Sequence, residues 1–157
     1  MPGFDALYKQ TVTLFNRIRD AYSDEVVWYP TVLHGVHLVV DKSSAWGMQG
    51  GRETDNVRLH VRYTVSGGGV VVGGKPWYEP KAWRKLATPE AAITFGYGDD
   101  DFDFFIEGEF DEIPGPISDD QFKKGFYNYM NANYDNVFAI TSVSKYNLIP
   151  HFEIMAR

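Results

Sequence analysis

Residues 69–75, Gly-Val-Val-Val-Gly-Gly-Lys, reproduce the first seven positions of a phosphate-binding loop. In such a loop the backbone amides wrap a phosphate chain and the lysine reaches its outer phosphates. A serine or threonine at the eighth position then holds magnesium. Here the eighth position is Pro76, and three consecutive valines prefer extended backbone to an amide cradle. No long helical pattern follows to supply a dipole. The stretch reads as a glycine turn with a short return strand, and no cofactor is expected.

A second candidate is Gly-Asp-Asp-Asp-Phe-Asp at 98–103, which has the carboxylate density of a calcium loop. The glycine that an EF-hand needs at its sixth position is Phe104 here. Ten acids and no lysine or arginine fall within 99–120, so a cation would relieve mutual repulsion. Spreading the carboxylates into water relieves it too. The main reading is a solvated turn leading into an acidic strand face, with calcium binding at 99–103 as the alternative.

The four histidines are expected to be structural. His34 and His37, three apart on a strand, should face opposite ways, which is wrong for joint metal ligation. His60 stands between Arg58 and Arg62, a poor place for a cation, and His151 should pack or cap near the last strand. No metal site is expected. The chain has no cysteine, hence no thiolate ligand, thiol nucleophile or disulfide, which suits a reducing cytosol. No Gly-x-Ser-x-Gly elbow occurs. Glu107 and Glu109, two apart, are same-face neighbours in water, not a pair flanking a glycosidic bond. Without convergent acid, base and binding groups, an enzyme is not expected.

The elements that must position these residues centre on 57–65, Val-Arg-Leu-His-Val-Arg-Tyr-Thr-Val. Its odd positions are apolar and its even positions polar, the mark of a strand with one buried and one wet face. A second alternation, over 102–111, puts Phe102, Phe104, Ile106 and Phe110 on one side. Asp103, Glu107, Glu109 and Asp111 take the other. The first wet face is cationic and the second anionic. Either the two strands are neighbours with cross-strand ion pairs, or the faces lie on opposite sides and join copies head to tail in a ring. Arg58, Arg62, Glu107 and Glu109 are the interface candidates in the second case.

Further strands are expected at 8–17, 26–29 (ended by Pro30), 31–40, 70–72, 93–95, 137–143 and 149–155. Residues 16–25 read as a turn. Gly35 should mark a bulge or a close backbone approach. Residues 80–86 should start a short helix at Pro80, and 88–90 another turn. Ser118 and Gln121 form a capping box, with Asp119 and Asp120 in the first turn, for one helix over 118–133. The 41–56 stretch reads as a long loop, of a length that is often functional. Its Trp46 and Met48 are candidates for a protein interface.

At 157 residues and 44% hydrophobic composition, one domain with a real core is expected. The net charge of −6 disfavours nucleic acid as a main partner. The N-terminal residues lack the basic and apolar regions of a signal peptide, and no run reaches membrane-span length. The fold class expected is α+β and mostly β: a twisted antiparallel sheet or partly closed barrel with one helix packed on it.

The residues also carry a resemblance. Gly125-Phe126-Tyr127-Asn128-Tyr129-Met130-Asn131, the run 133–143 and Ile149-Pro150-His151-Phe152-Glu153-Ile154-Met155 resemble a family of phage and prophage proteins of Firmicutes. Residues 9–16, 28–33, 59–63 and 102–105 are similar to the same family. The resemblance implies a gene of the head–tail morphogenesis cluster. The run Tyr-Pro-Thr-Val-Leu-His-Gly-Val at 29–36 is similar to the opening of head-closure or minor capsid connector subunits. It implies a β-barrel-like virion protein, made in the bacterial cytoplasm and assembled with portal, connector or tail subunits, with a homo-oligomeric ring as one form of that assembly. It implies no catalytic residue.

Overall fold

The computed structural model describes residues 6–41 and 56–157. The alternation at 57–65 becomes strand β3 (Val57–Arg62), with Val57, Leu59 and Val61 buried and Arg58 and Arg62 exposed. It is flanked by β2 (Val26–Val40) and β10 (His151–Ala156). Beyond β10 come β9 (Val137–Tyr146), β7 (Phe104–Glu107) and β1 (Gln10–Arg19). β1 then pairs with β2 over its whole length, so six antiparallel strands close into a barrel. The mostly β class is as expected, and closure is complete.

The barrel is filled by Val12, Leu14, Leu33, Leu59, Phe105, Phe138, Phe152, Ile154 and their neighbours. A second core lies outside it. Phe15, Trp28, Phe104, Phe110 and Ile117 pack there under helix α2 (Phe126–Asn133) through Phe126 and Met130. Phe15 stacks on Phe104 at 4.9 Å, and Trp28 meets the same ring edge-on at 4.9 Å. β1 and β7 are therefore buried on both faces: Leu14 and Phe105 point into the barrel, Phe15 and Phe104 into the second core. Aromatic pairs at these spacings add about 0.5–1.5 kcal/mol beyond their burial.

The glycine-rich stretch forms a small separate sheet of β4 (Thr64–Ser66), β5 (Gly69–Val72) and β6 (Lys75–Pro76). Gly67 and Gly68, then Gly73 and Gly74, all have positive φ, so each pair makes a two-residue hairpin turn. Those turns, not a phosphate cradle, are what the glycines serve. Pro80 opens the one-turn helix α1 (Pro80–Trp83), whose Trp83 is fully buried. A 3-10 turn follows at Pro89–Ala91.

Several expectations need correction. β1 continues through Asn16 to Arg19, because the Asn16 side chain finds buried partners within the fold. Pro30 lies inside β2, in the stretch between the β8 (Ile117–Ser118) and β3 pairings, where only β1 is alongside among the described residues. A proline is tolerated where one strand edge has no ladder to feed. Residues 93–95 make only an isolated bridge, Ile93 to Trp77. The 102–111 strand shortens to β7 and is covered on both sides. The single helix over 118–133 is broken in two. Ser118 accepts only from the Asp120 amide and caps a 3-10 turn (Asp119–Gln121). Gly125, at φ 91°, then re-aims the chain, and Asp119 Oδ1 caps α2 by accepting from the Phe126 amide at 2.7 Å.

Gly35 is the bulge foreseen in the sequence. The β1–β2 register steps from Thr11 opposite His34 to Gln10 opposite Val36, and Gly35 sits between at φ +67°. A Cβ there would meet nothing closer than 3.7 Å, so the cost of a side chain is conformational, not steric. Gly35→Ala is expected to lower stability by about 1–2 kcal/mol, as a left-handed backbone does for an L-residue. Urea unfolding of the two proteins measures it.

Candidate functional site

The outer face of β3 is not covered by α2. Arg58, His60 and Arg62 point outward there. In the antiparallel register His37 on β2 and Glu153 on β10 stand opposite His60 from its two sides. His151, opposite Arg62, completes a patch in which donor atoms of His60, His151 and Glu153 all lie within 4.8 Å of one another. The His37 ring stacks on His60 at 5.4 Å, and the His60 and His151 rings are 5.9 Å apart. Burial lowers the His60 pKa, helped by His37, His151 and Arg58 and opposed by Glu153. The Arg62 guanidinium lies 4.4 Å from the Tyr8 ring centroid, a cation–π contact.

This cluster escaped the reading of the sequence for a definable reason. The bulge at Gly35 resets the parity of β2, so Leu33, Val36 and Leu38 all point inward and His34 and His37 both point outward. The expectation of opposite faces for the two histidines is thereby overturned. The remaining members come from strands distant in sequence, and only the register of β2, β3 and β10 joins them. His34 stays apart, 3.2 Å from Thr11 Oγ1.

Of the interface candidates, Arg58 and Arg62 lie on β3, Glu107 at the end of β7 and Glu109 just beyond it, all exposed. β3 neighbours β2 and β10, whereas β7 neighbours β1 and β9. The two strands are thus on opposite sides of the six-strand ring, and cross-strand ion pairs between them do not form. Trp46 and Met48 lie outside the described residues.

The acidic stretch is not a uniform wet face. Asp101 pairs with Arg17. Asp103 turns inward and is fully buried. Its Oδ1 accepts from the Arg17 amide at 2.9 Å; its Oδ2 accepts from the Gly96 amide at 2.6 Å and from Asn16 Nδ2 at 2.8 Å. Burial pushes the Asp103 pKa up to about 6 against the pull of those three donors. The expectation that Asp103 shares a solvated face with Glu107 fails because the 94–96 segment and β1 cover it. Among the described residues the carboxylates of the 99–103 turn do not converge as a group. A polar cleft of about 330 Å³ lies beside that turn, lined by Asp99, Tyr127, Asn131, Thr141 and Arg157.

A closed six-stranded antiparallel barrel with a helix-covered sector and a histidine–carboxylate patch on its open sector is the class that fold and site define. The chain belongs to a family of unknown function, DUF6751, whose model matches residues 7–157. No curated protein and no solved structure matches it.

Asp103 makes the stability depend on pH. Its folded pKa lies above the ordinary carboxylate value, so the folded protein holds the proton more tightly. That contribution is full below pH ~4 and is lost as pH rises to about 6, roughly 3 kcal/mol across the window. In Asp103→Asn this dependence disappears. An amide also sets a donor against donors, at a cost of about 1–3 kcal/mol. Urea unfolding at pH 4, 5, 6 and 7 should show the stability gap between wild type and variant narrowing as pH rises.

Proposed function

We propose that the protein is a structural virion subunit, a head–tail connector or head-closure component that works by protein–protein assembly. The observation that carries this reading is the placement of unlike charges on opposite sides of one rigid barrel. Arg58 and Arg62 project from β3, and Glu107 and Glu109 stand at the end of β7 across the ring. A head-to-tail contact between copies would bring the two together, and such heterologous contacts close into rings when the rotation per subunit allows. Charge complementarity of this kind sets register and speeds encounter.

Two further features support the reading. The β9–β10 hairpin beside the cationic face exposes Leu148 at 97% and Ile149 at 52%, apolar area that an assembled neighbour would cover. The resemblance of the 125–155 region to phage head–tail proteins points the same way. Trp46 and Met48 would then contact other virion proteins.

Two experiments test it. Arg58→Glu with Arg62→Glu should weaken self-assembly, followed by light scattering at low salt, by about tenfold or more. Adding Glu107→Arg and Glu109→Arg should restore it. Unchanged assembly in the first variant removes the ring. Negative-stain images of particles made without the gene should show heads and tails unjoined; normally joined, filled particles contradict the virion role.

A further inference from the structure

We propose that His60, His151 and Glu153 form a binding site for a first-row divalent transition ion, zinc above all, on the open outer face of the barrel. The three donors come from two hydrogen-bonded strands and already lie within 4.8 Å of one another. Donors around a tetrahedral zinc sit about 3.4 Å apart, given zinc–ligand bonds of about 2.0–2.1 Å. Small side-chain rotations close that difference.

The ligands are held in advance. His151 Nδ1 lies 2.7 Å from the Ile149 carbonyl. A carbonyl only accepts, so Nδ1 carries the hydrogen and Nε2 keeps its lone pair for a metal. This backbone bond is the support that metal-bound imidazoles commonly have. Tyr146 stacks on the His151 ring, with centroids 4.9 Å apart and planes 14° from parallel. His37 stacks on His60 in the same manner. The turn that carries Ile149 is itself tied to the end of β3: the Tyr63 hydroxyl lies 2.9 Å from the Tyr146 carbonyl oxygen and 2.6 Å from Asn147 Oδ1. The strand register and this tie together fix His60 relative to His151.

The charges fit as well. Glu153 sets a negative group directly opposite His60, offsetting Arg58 and Arg62 on the same face. Arg62 is engaged with the Tyr8 ring. Two imidazoles and one carboxylate select zinc, nickel or copper over calcium or magnesium, which want oxygen alone. Three protein ligands leave one coordination position for water or an outside donor.

The site is independent of the assembly reading and is tested without it. Calorimetric titration of the tag-free protein with zinc chloride should show one saturable equivalent. Cobalt(II) in its place should give the intense visible absorption of a tetrahedral nitrogen–oxygen site. His60→Gln and His151→Gln should each weaken binding by about 100-fold or more, and Glu153→Gln by about 10–100-fold. His34→Gln, on the same outer face but outside the cluster, should bind as wild type does. All four side chains lie outside the packed interior, and far-UV circular dichroism checks that each variant folds. No stoichiometric uptake by the wild type at micromolar zinc, or uptake that survives His60→Gln combined with His151→Gln, overturns the site.

Discussion

Closure of β1 onto β2 is the constraint on which the remaining structure depends. β1 pairs with β2 on one edge and with β7 on the other, so the ring has no free end. In a closed antiparallel ring each residue has two destinations, inside or outside, and parity decides between them. The inside is filled by aliphatic and phenylalanine side chains. The outside then divides into two sectors. β1, β7 and the first residues of β9 are covered by α2 and its aromatic cluster. β3, β10 and the second half of β2 are not, and there the outward positions include arginine, histidine and glutamate.

The two sectors treat polar groups differently, for one physical reason. Where water is excluded, a polar atom gains from a partner within the fold, although Asn16 Oδ1 and Thr94 Oγ1 are buried without one among the described residues. Beneath the cover, Thr13 Oγ1 donates to the Gly108 carbonyl and accepts from the Phe110 amide; at the barrel end closed by the 94–96 segment, Asn16 and Asp103 bind each other and nearby backbone. These groups hold β1, β7 and the 94–96 segment in register. On the open sector, Arg58 and Arg62 are exposed and His37, His60, His151 and Glu153 are half-buried, so part of each side chain can be reached from outside the fold. The metal proposal and the assembly proposal both use that sector. They make different demands on it, one needing lone pairs at close range and the other charge at long range.

Much of the barrel could be read from the chain because its signals are local. The alternation at 57–62 set which side of β3 is wet, and Gly35 announced its bulge. The paired glycines at 67–68 and 73–74 marked hairpins. What could not be read is what depends on distant segments. Asp103 shares the parity of Glu107 and Glu109 and looked solvated; only the folding of 94–96 over it makes it buried. Asn16 resembled a turn residue because its partners, Thr94 and Asp103, lie far along the chain. Ser118 did cap a turn, but the cap of α2 is Asp119, which a capping-box pattern assigns to the first turn of one continuous helix. The histidine patch was hidden twice: a bulge changed the counting on β2, and strand register brought His151 and Glu153 to His60.

The most direct measurement is a nuclear Overhauser spectrum of the protein in solution, read for two pairings at once. Contacts across β1–β7, with Leu14 opposite Phe105, report closure; contacts across β3–β10, with His60 opposite Glu153, report register. Both should be present. Absence of the first, or a one-residue slip in the second, would contradict the closed ring, because a slip exchanges the faces of every residue on the strand and turns Arg58 and Arg62 toward the core.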